Sequence, residues 1–243
     1  MAGHSKWKNI QHRKNAQDAK KGKVFTKIAT EITVAVKIGG GDPESNPRLR
    51  AALVKGRGVN MPKDNIERAI KKGLGDLDGQ SYSEKTYEGY GAGGVAFVVE
   101  CLTDNVNRTV GDVRHCFTKF GGSIGTEGSV SWQFHKKGLL VFEKSKFKNP
   151  DQLVEKAIEN GAEDVKDEDG AIEVTCAVPN FLRLKDAMEK EGHLAEVAEV
   201  TRIPENFSAV APEEAQSIQK MIDWLEDMDD VQNVYHNAAL PDV

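Results

Sequence analysis

Residues 139–178 read LLVFEKSKFKNPDQLVEKAIENGAEDVKDEDGAIEVTCAV. The apolar run at 139–142 predicts a strand, and the apolar spacing over 150–160, which opens on a proline, is typical of a helix. The alternation over 172–178 predicts another strand, and a short strand fits near 163–166. Two more elements follow, a helix over 179–191 and a strand over 196–202. The resulting order β-α-β-β-α-β is that of a ferredoxin-like sandwich.

A second set of strands and helices flanks this unit on both sides. Before it, residues 95–102 form a β-rich apolar run, residues 106–120 carry apolar side chains at helical spacing, and a strand fits around 130–134. After it, Pro212 opens a helix and residues 231–235 form a last strand. The predicted fold class is therefore α+β, with one ferredoxin-like domain inserted into another.

The N-terminal third of the chain predicts an all-helical domain. Apolar residues recur at helical spacing over 24–36, and Asn46-Pro47 is an N-cap followed by proline at the first helical position. A third helix begins near Pro62, and we expect it to end in a glycine cap at Gly73. The predicted domains are the basic helical domain 1–75, a discontinuous α+β domain formed by 80–134 plus 204–243, and the inserted ferredoxin-like domain 135–203.

Charge is divided unevenly along the chain. The 243 residues carry 33 Lys and Arg against 38 Asp and Glu, a net charge of −5. Residues 1–75 hold 17 of the cations and 6 of the anions, a net of +11, so the remainder holds 16 against 32, a net of −16. A basic segment joined to an acidic body is typical of attachment to nucleic acid or to a membrane surface. We expect the acidic body to turn away from phosphates.

The sequence does not indicate a membrane protein or a secreted protein. No apolar stretch approaches the roughly 18 residues that span a bilayer, so we expect no membrane partner. The basic N-terminus lacks the apolar segment of a signal peptide, and an odd number of cysteines without CxxC spacing is typical of buried thiols in a reducing cytosol. We therefore expect a cytoplasmic protein.

Motifs for catalysis or cofactor binding are also weak. Gly89, Gly91 and Gly94 fit GxGxxG but precede a strand, whereas a dinucleotide site requires such glycines between a strand and a helix, so we predict a tight turn. No histidine pair has metal-ligand spacing, and the carboxylate cluster over 164–169 is read as a solvated loop. We predict that the protein is not an enzyme and uses no metal or other cofactor.

The basic segment carries the functional signal. Cations balance phosphate charge, small polar side chains bind phosphate oxygens, and Trp7 can stack on an exposed base. The alternative is a solvated tail whose Trp7 packs against the helical domain. On the third helix, Arg68, Lys71 and Lys72 share one face. The predicted nucleic-acid-binding residues are Lys6, Trp7, Lys8, Arg13, Lys14, Lys20, Lys21, Lys23, Lys27, Lys63, Arg68, Lys71 and Lys72.

Longer motifs, spread from end to end of the chain, resemble those of the YebC/PmpR family. They are MAGHSKW at 1–7, GGGDP at 39–43, NMPKDNIERAIKKG at 60–73, YEGYG at 87–91, LTDNVNRT at 102–109, EGSV at 127–130 and VQNVYHN at 231–237. The resemblance implies a three-domain cytoplasmic bacterial protein. Two departures from the family pattern are Ala92 in place of a usual proline, and Gly56 and Gly58 where alanine is expected. Since an internal glycine costs up to about 1 kcal/mol against alanine, we expect the second helix to stop early.

The resemblance leaves two functions open. Family members are described as DNA-binding transcriptional regulators, whereas mitochondrial relatives are translational activators and some bacterial members are linked to ribosomes stalled at proline runs. The first hypothesis is a DNA-binding transcriptional regulator with few base contacts. The alternative is a ribosome-associated translation factor, in which the basic segment binds ribosomal RNA and the motif loops at 60–65 and 102–109 reach functional RNA. A small-molecule sensor built on paired ferredoxin-like domains is a third class, for which no residue pattern names a ligand.

Overall fold

The computed structural model describes residues 4–75, 82–168 and 170–240, with side chains from residue 22 onward. The helices are α1 (His4–Gly39), α2 (Pro47–Gly58), α3 (Lys63–Leu74), α4 (Val106–Lys119), α5 (Pro150–Glu159), α6 (Phe181–Lys190) and α7 (Pro212–Asp227). The strands are β1 (Ser83–Tyr90), β2 (Ala96–Thr103), β3 (Ser123–Ile124), β4 (Phe134–Glu143), β5 (Asp164–Glu168), β6 (Ala171–Cys176), β7 (Val197–Pro204), β8 (Ser208–Ala209), β9 (Val231–His236) and β10 (Ala238–Ala239).

The ferredoxin-like prediction for the central unit is confirmed. Strands β4 to β7 form one antiparallel sheet in the order β5-β6-β4-β7, so the two strands that each precede a helix lie in the middle. Leu140, Phe142 and Ile172 on one face pack against Leu153 of α5 and Leu184 of α6. Asp164, Asp167 and Glu168 of the acidic stretch lie on β5 at the sheet edge, so their assignment to a loop was wrong, and Asp169 lies outside the described residues.

The second sheet also has four strands with helices on one face, but its strands follow one another along the chain in a different order. Its strands lie in the order β3-β1-β2-β9 and every neighbouring pair is antiparallel. Helices α4 and α7 cover one face, where Phe97 and Val99 pack against Phe117, Ile218 and Leu225. Because β2 pairs with β9, parts of the chain on either side of the central unit share this sheet. The tight glycine turn between β1 and β2 is confirmed, since Gly93 and Gly94 have φ of 65° and 72°.

The strand predicted around 130–134 is wrong. Residues 131–133 form a 3-10 turn, and only Phe134 belongs to a strand, the first residue of β4. The backbone N–H groups of Gly128, Val130 and Ser131 donate to the buried carboxylate of Glu88, at 2.9, 2.9 and 2.8 Å. These donors are satisfied by a side chain on β1, so they are not available to a sheet ladder.

The helices of the basic segment differ from their predicted bounds. The first begins at His4 and not at Val24, and the second continues through Gly58, so the expected early stop was wrong. The third passes Gly73 and ends at Leu74. Gly73 serves close packing instead of a cap, because a Cβ there would lie 2.6 Å from the Thr33 carbonyl oxygen of α1.

Packing of α1 against α2 and α3 creates the first core. Ile32, Ala35 and Val36 pack against Leu49 and Ala69. Cys101, Cys116 and Cys176 are buried, as predicted, and burial raises the pKa of each thiol. In the described residues, the structure has no helix of the length and apolar character needed to cross a bilayer.

Candidate nucleic-acid interface

The long first helix places the basic residues in register. On an α-helix, positions seven apart lie nearly above one another. Lys6, Arg13, Lys20 and Lys27 form one such row on α1, and positions 14, 21, 28 and 35 form the neighbouring row. Seven of the predicted site residues lie on this helix with side chains outside the described part of the chain: Lys6, Trp7, Lys8, Arg13, Lys14, Lys20 and Lys21.

Helix α1 is much longer than its partners. Its 36 residues span about 54 Å, whereas α2 and α3, with 12 residues each, span about 18 Å. Ile28 and Ala35, on the second row, pack in the core against α2 and α3. The same row carries Lys14 and Lys21 further toward the N-terminus. The face of α1 therefore changes from apolar to basic along its length.

Two of the predicted cations contact the end of α7. The Lys23 ammonium donates to the Asp227 carboxylate at 2.6 Å and to the Asp227 carbonyl oxygen at 2.9 Å. The Lys27 ammonium donates to the Glu226 carbonyl oxygen at 2.6 Å. In this structure both lysines join the helical segment to the acidic body.

The two lysines sit in different surroundings. Lys23 and Asp227 are each close to half exposed, so water screens their attraction. Lys27 is half-buried, and burial lowers its pKa, although Glu226, Asp229 and Asp227 oppose that change. The Lys27 contact is therefore the more desolvated of the two. Another anion can replace Asp227 on Lys23 more easily than it can replace the partner of Lys27.

The predicted cations of α3 lie on the surface. Lys63 is within 3.6 Å of the Glu67 carboxylate one turn away, and the Arg68 guanidinium donates to the Asn65 side chain at 2.6 Å. Lys71 and Lys72 are exposed in the last turn and have no carboxylate within 4 Å among the described residues. Of the four, Lys71 and Lys72 are the most available to a phosphate.

A further cation of the basic segment has a structural role. The Arg48 guanidinium of α2 lies 2.8 Å from the Glu31 carboxylate of α1 and 2.5 Å from that of Glu84 on β1. The hydrogen bond to Glu31 is the largest contribution that raises the Arg48 pKa, and Glu84 adds to it. Arg48 therefore ties the helices to the first strand of the sheet.

The motif at 102–109 is used within the fold. Asn105 caps α4 by accepting from the Arg108 N–H, and the Thr109 hydroxyl is 2.7 Å from both the Thr103 hydroxyl and the Asp230 carboxylate. The Arg108 guanidinium donates to Asp104 and Asp230 at 3.0 and 2.8 Å. Sequence reasoning missed Asp230, because its partners lie about half the chain away.

The motif at 60–73 begins with a sharp turn. Asn60 has a φ of 56°, a conformation that asparagine tolerates better than most side chains. The next N–H, of Met61, donates to the Gly56 carbonyl oxygen at 2.9 Å, and the Met61 side chain is buried. This turn sets the start of α3 and thereby the position of its cations.

Comparison with known proteins matches both halves of this architecture. Residues 5–76 match the TACO1/YebC protein N-terminal domain, and residues 82–238 match the TACO1/YebC second and third domain. The chain belongs to the TACO1/YebC family. The resemblance of its motifs to the YebC/PmpR proteins is thereby confirmed.

Relatives of this TACO1/YebC chain match it over its whole length. A protein of Syntrophotalea carbinolica, named a probable transcriptional regulatory protein, is 59% identical over 243 residues, covering 100% of this chain and 97% of the relative. One of Geotalea uraniireducens with the same name is 58% identical and covers 98% of this chain and 95% of the relative. The crystal structure of a conserved hypothetical protein from Aquifex aeolicus has a TM-score of 0.82 and 43% identity, with 93% of each chain covered.

Proposed function

We propose that this TACO1/YebC chain is a nucleic-acid-binding regulator of gene expression that acts on duplex DNA as a transcriptional regulator. The observation that carries the proposal is the change along α1 from an apolar to a basic face. Where α1 packs on α2 and α3, the row of positions 28 and 35 is apolar, and toward the N-terminus positions 6, 13, 14, 20 and 21 fall within an arc of about 120°. A row of cations on a long helix can neutralise several backbone phosphates at once.

The exposed cations of α3 form a second basic group, at the end of α3 that packs against Thr33 and Val36 of α1. Lys71 and Lys72 occupy the last turn, and Arg68 lies one turn earlier. Lysine is a point charge that binds phosphate without fixed geometry, so this surface suits the backbone more than base edges. We therefore propose binding with weak base preference, confined to the helical segment because the rest of the chain carries a net charge of −16.

The names of the curated relatives support a regulatory role. Both relatives described above are named probable transcriptional regulatory proteins and match nearly the full chain. The motif loops at 60–65 and 102–109 make their described contacts within the fold, so the proposal assigns binding to the helix face. We place the protein in the cytoplasm, where both candidate targets occur in bacteria.

Crosslinking in cells followed by sequencing of the bound nucleic acid tests the proposal. The wild type is compared with a variant in which Lys6, Arg13, Lys14, Lys20 and Lys21 become Gln. We expect promoter DNA to be recovered with the wild type and to be lost with the variant. Equal recovery from both proteins would contradict binding by α1.

The same experiment decides the alternative. A ribosome-associated translation factor with this basic helix would recover ribosomal RNA in place of promoter DNA, and its loss would produce pauses in a ribosome profile. Retarded mobility of promoter DNA against excess random duplex then measures sequence preference. Recovery of RNA alone would overturn the transcriptional form of the proposal and leave the basic face of α1 as the interface.

A further inference from the structure

The end of α7 presents negatively charged oxygens to the lysines of α1, as a phosphate backbone would. Its last residues and the turn that follows include four carboxylates, at Glu226, Asp227, Asp229 and Asp230. The last carbonyl groups of a helix also carry partial negative charge. Lys23 binds one of these carboxylates and one carbonyl oxygen, and Lys27 binds another carbonyl oxygen. Both lysines are thus held by anionic or partially anionic oxygens.

These contacts lie at the inner end of the basic face. Lys27 is the last member of the row that contains Lys6, Arg13 and Lys20. A polyanion that lies along this row from the N-terminus approaches the α7 end within two helical turns of Lys20. At that point it meets carboxylates that repel it, one of which, on Asp227, already binds Lys23.

We propose that the acidic end of α7 is an internal competitor for the basic face of α1, which a bound polyanion displaces from Lys23 while Lys27 stays in place. This inference rests on the proposed function, because it concerns the same face of α1. The competitor limits binding to ligands that have enough consecutive phosphates to replace Asp227 on Lys23. It weakens the binding of isolated anions and short oligonucleotides.

The division between the two lysines follows from their surroundings. Lys23 and Asp227 are each 45% exposed, and an exposed pair of this kind shifts an equilibrium by about fivefold at most. A run of phosphates gains more free energy than this ion pair supplies, because its binding to several cations releases counterions. The Lys27 contact is half-buried beside Cys101, with the Glu226 and Asp229 carboxylates nearby, so its replacement costs more desolvation. Lys27 therefore keeps α1 attached to the body while Lys23 exchanges its partner.

A matched pair of variants on α7 tests the competitor. Asp227→Asn removes the carboxylate that holds Lys23. Asp223→Asn makes the same change of charge one turn earlier, on an exposed residue whose described contact is to Gln219 within α7. The full-length proteins are titrated with a random-sequence duplex and with a single strand between about 50 and 200 mM salt. The readouts are the affinity and the slope of log affinity against log salt.

We expect Asp227→Asn to bind about two- to fivefold more tightly than Asp223→Asn, the range for one exposed ion pair. Its slope for duplex should equal those of Asp223→Asn and the wild type, because Lys23 contacts a phosphate in all three complexes. Equal affinities for the two variants would overturn the competitor and leave the proposed function standing. A steeper slope for Asp227→Asn would show that Lys23 keeps Asp227 in the wild-type complex, and would contradict the displacement. Failure of all three proteins to bind either ligand would overturn both.

Discussion

At the scale of single residues, Glu88 shows how one buried charge fixes a loop. Its side chain accepts three backbone N–H groups from residues 128–131, some 40 positions along the chain. Burial alone raises the pKa of this carboxyl, but the N–H groups of Val130, Gly128 and Ser131 outweigh it and leave the pKa below its ordinary value. The loop that leads into β4 therefore depends on an ionised Glu88.

Substitution of Glu88 by Gln should destabilise the protein by about 1.5 to 3 kcal/mol at neutral pH, because charge-assisted hydrogen bonds become weaker neutral ones. A lowered carboxyl pKa gives stability that is present above the ordinary value of 4.5 and is lost as the pH falls through the lowered value. The difference between wild type and variant should therefore shrink in acid. Urea unfolding followed by circular dichroism at several pH values measures it.

Glu127→Gln is the control for this prediction. Glu127 lies in the same loop and is exposed. We expect its substitution to change the free energy of unfolding by less than about 0.5 kcal/mol. Equal effects at the two positions, or a Glu88 effect that does not depend on pH, would show that the carboxylate does not hold the loop.

Residue-scale signals also explain what the sequence could and could not predict. Asn46-Pro47, Pro150 and Pro212 mark helix starts by local chemistry, and α2, α5 and α7 begin there. The burial of Glu88 has no local signal, because its donors come from a distant loop. For that reason β1, whose sequence SEKTYEGY lacks an apolar alternation, was not predicted, and a strand was wrongly placed over residues 130–134.

At the scale of elements, the contact between α1 and α3 depends on a glycine within a helix. A Cβ at Gly73 would lie 2.6 Å from the Thr33 carbonyl oxygen and 2.7 Å from the Val36 Cβ. At Gly56 in α2, the nearest atoms would lie 3.5 to 3.7 Å away, which is ordinary contact. The two positions therefore differ in packing although both are helical glycines.

Alanine at the two glycines should have opposite effects. Gly56→Ala should stabilise the protein by up to about 1 kcal/mol through helix propensity. Gly73→Ala should destabilise it by about 1 to 3 kcal/mol, because α1 and α3 must move apart. Thermal unfolding of the two variants measures both. A stabilising Gly73→Ala would contradict the close packing of these helices.

Helix α1 itself illustrates a limit of apolar periodicity. Residues 24–36 show it and were predicted as helical, whereas residues 4–23 lack an apolar stripe and were not. The seven-residue spacing of the cations was nevertheless present in the sequence. This spacing alone does not predict a helix, because helix prediction rests on the spacing of apolar residues.

At the scale of the whole molecule, one ion pair joins the central ferredoxin-like unit to the other sheet. The Arg202 guanidinium of β7 donates to the Glu100 carboxylate of β2 at 2.9 Å. The same carboxylate accepts from Asn233 at 3.2 Å and Tyr235 at 3.1 Å on β9. Both ends of the pair are mostly buried, so this contact helps to set how the two sheets are oriented.

Arg202→Leu should loosen this arrangement. We expect a loss of about 1 to 3 kcal/mol, because Glu100 keeps its charge without its cationic partner. Hydrogen exchange should quicken at the facing ends of β7 and β9, and small-angle X-ray scattering should show a larger radius of gyration. Arg183→Leu, at an exposed position of α6, serves as the control. Identical scattering and exchange for the two variants would show that the pair does not orient the sheets.

The net charge of −5 conceals the division on which the functional proposal depends. The segment that carries +11 includes α1, and five of its six cations before residue 22 fall on two neighbouring rows, of which the row with Lys14 and Lys21 becomes apolar in the core. The most direct test is the salt dependence of duplex binding by the wild type and by the variant with Gln at positions 6, 13, 14, 20 and 21. If α1 is the interface, the slope of log affinity against log salt should flatten by about 4.5 in the variant. An unchanged slope would contradict the account.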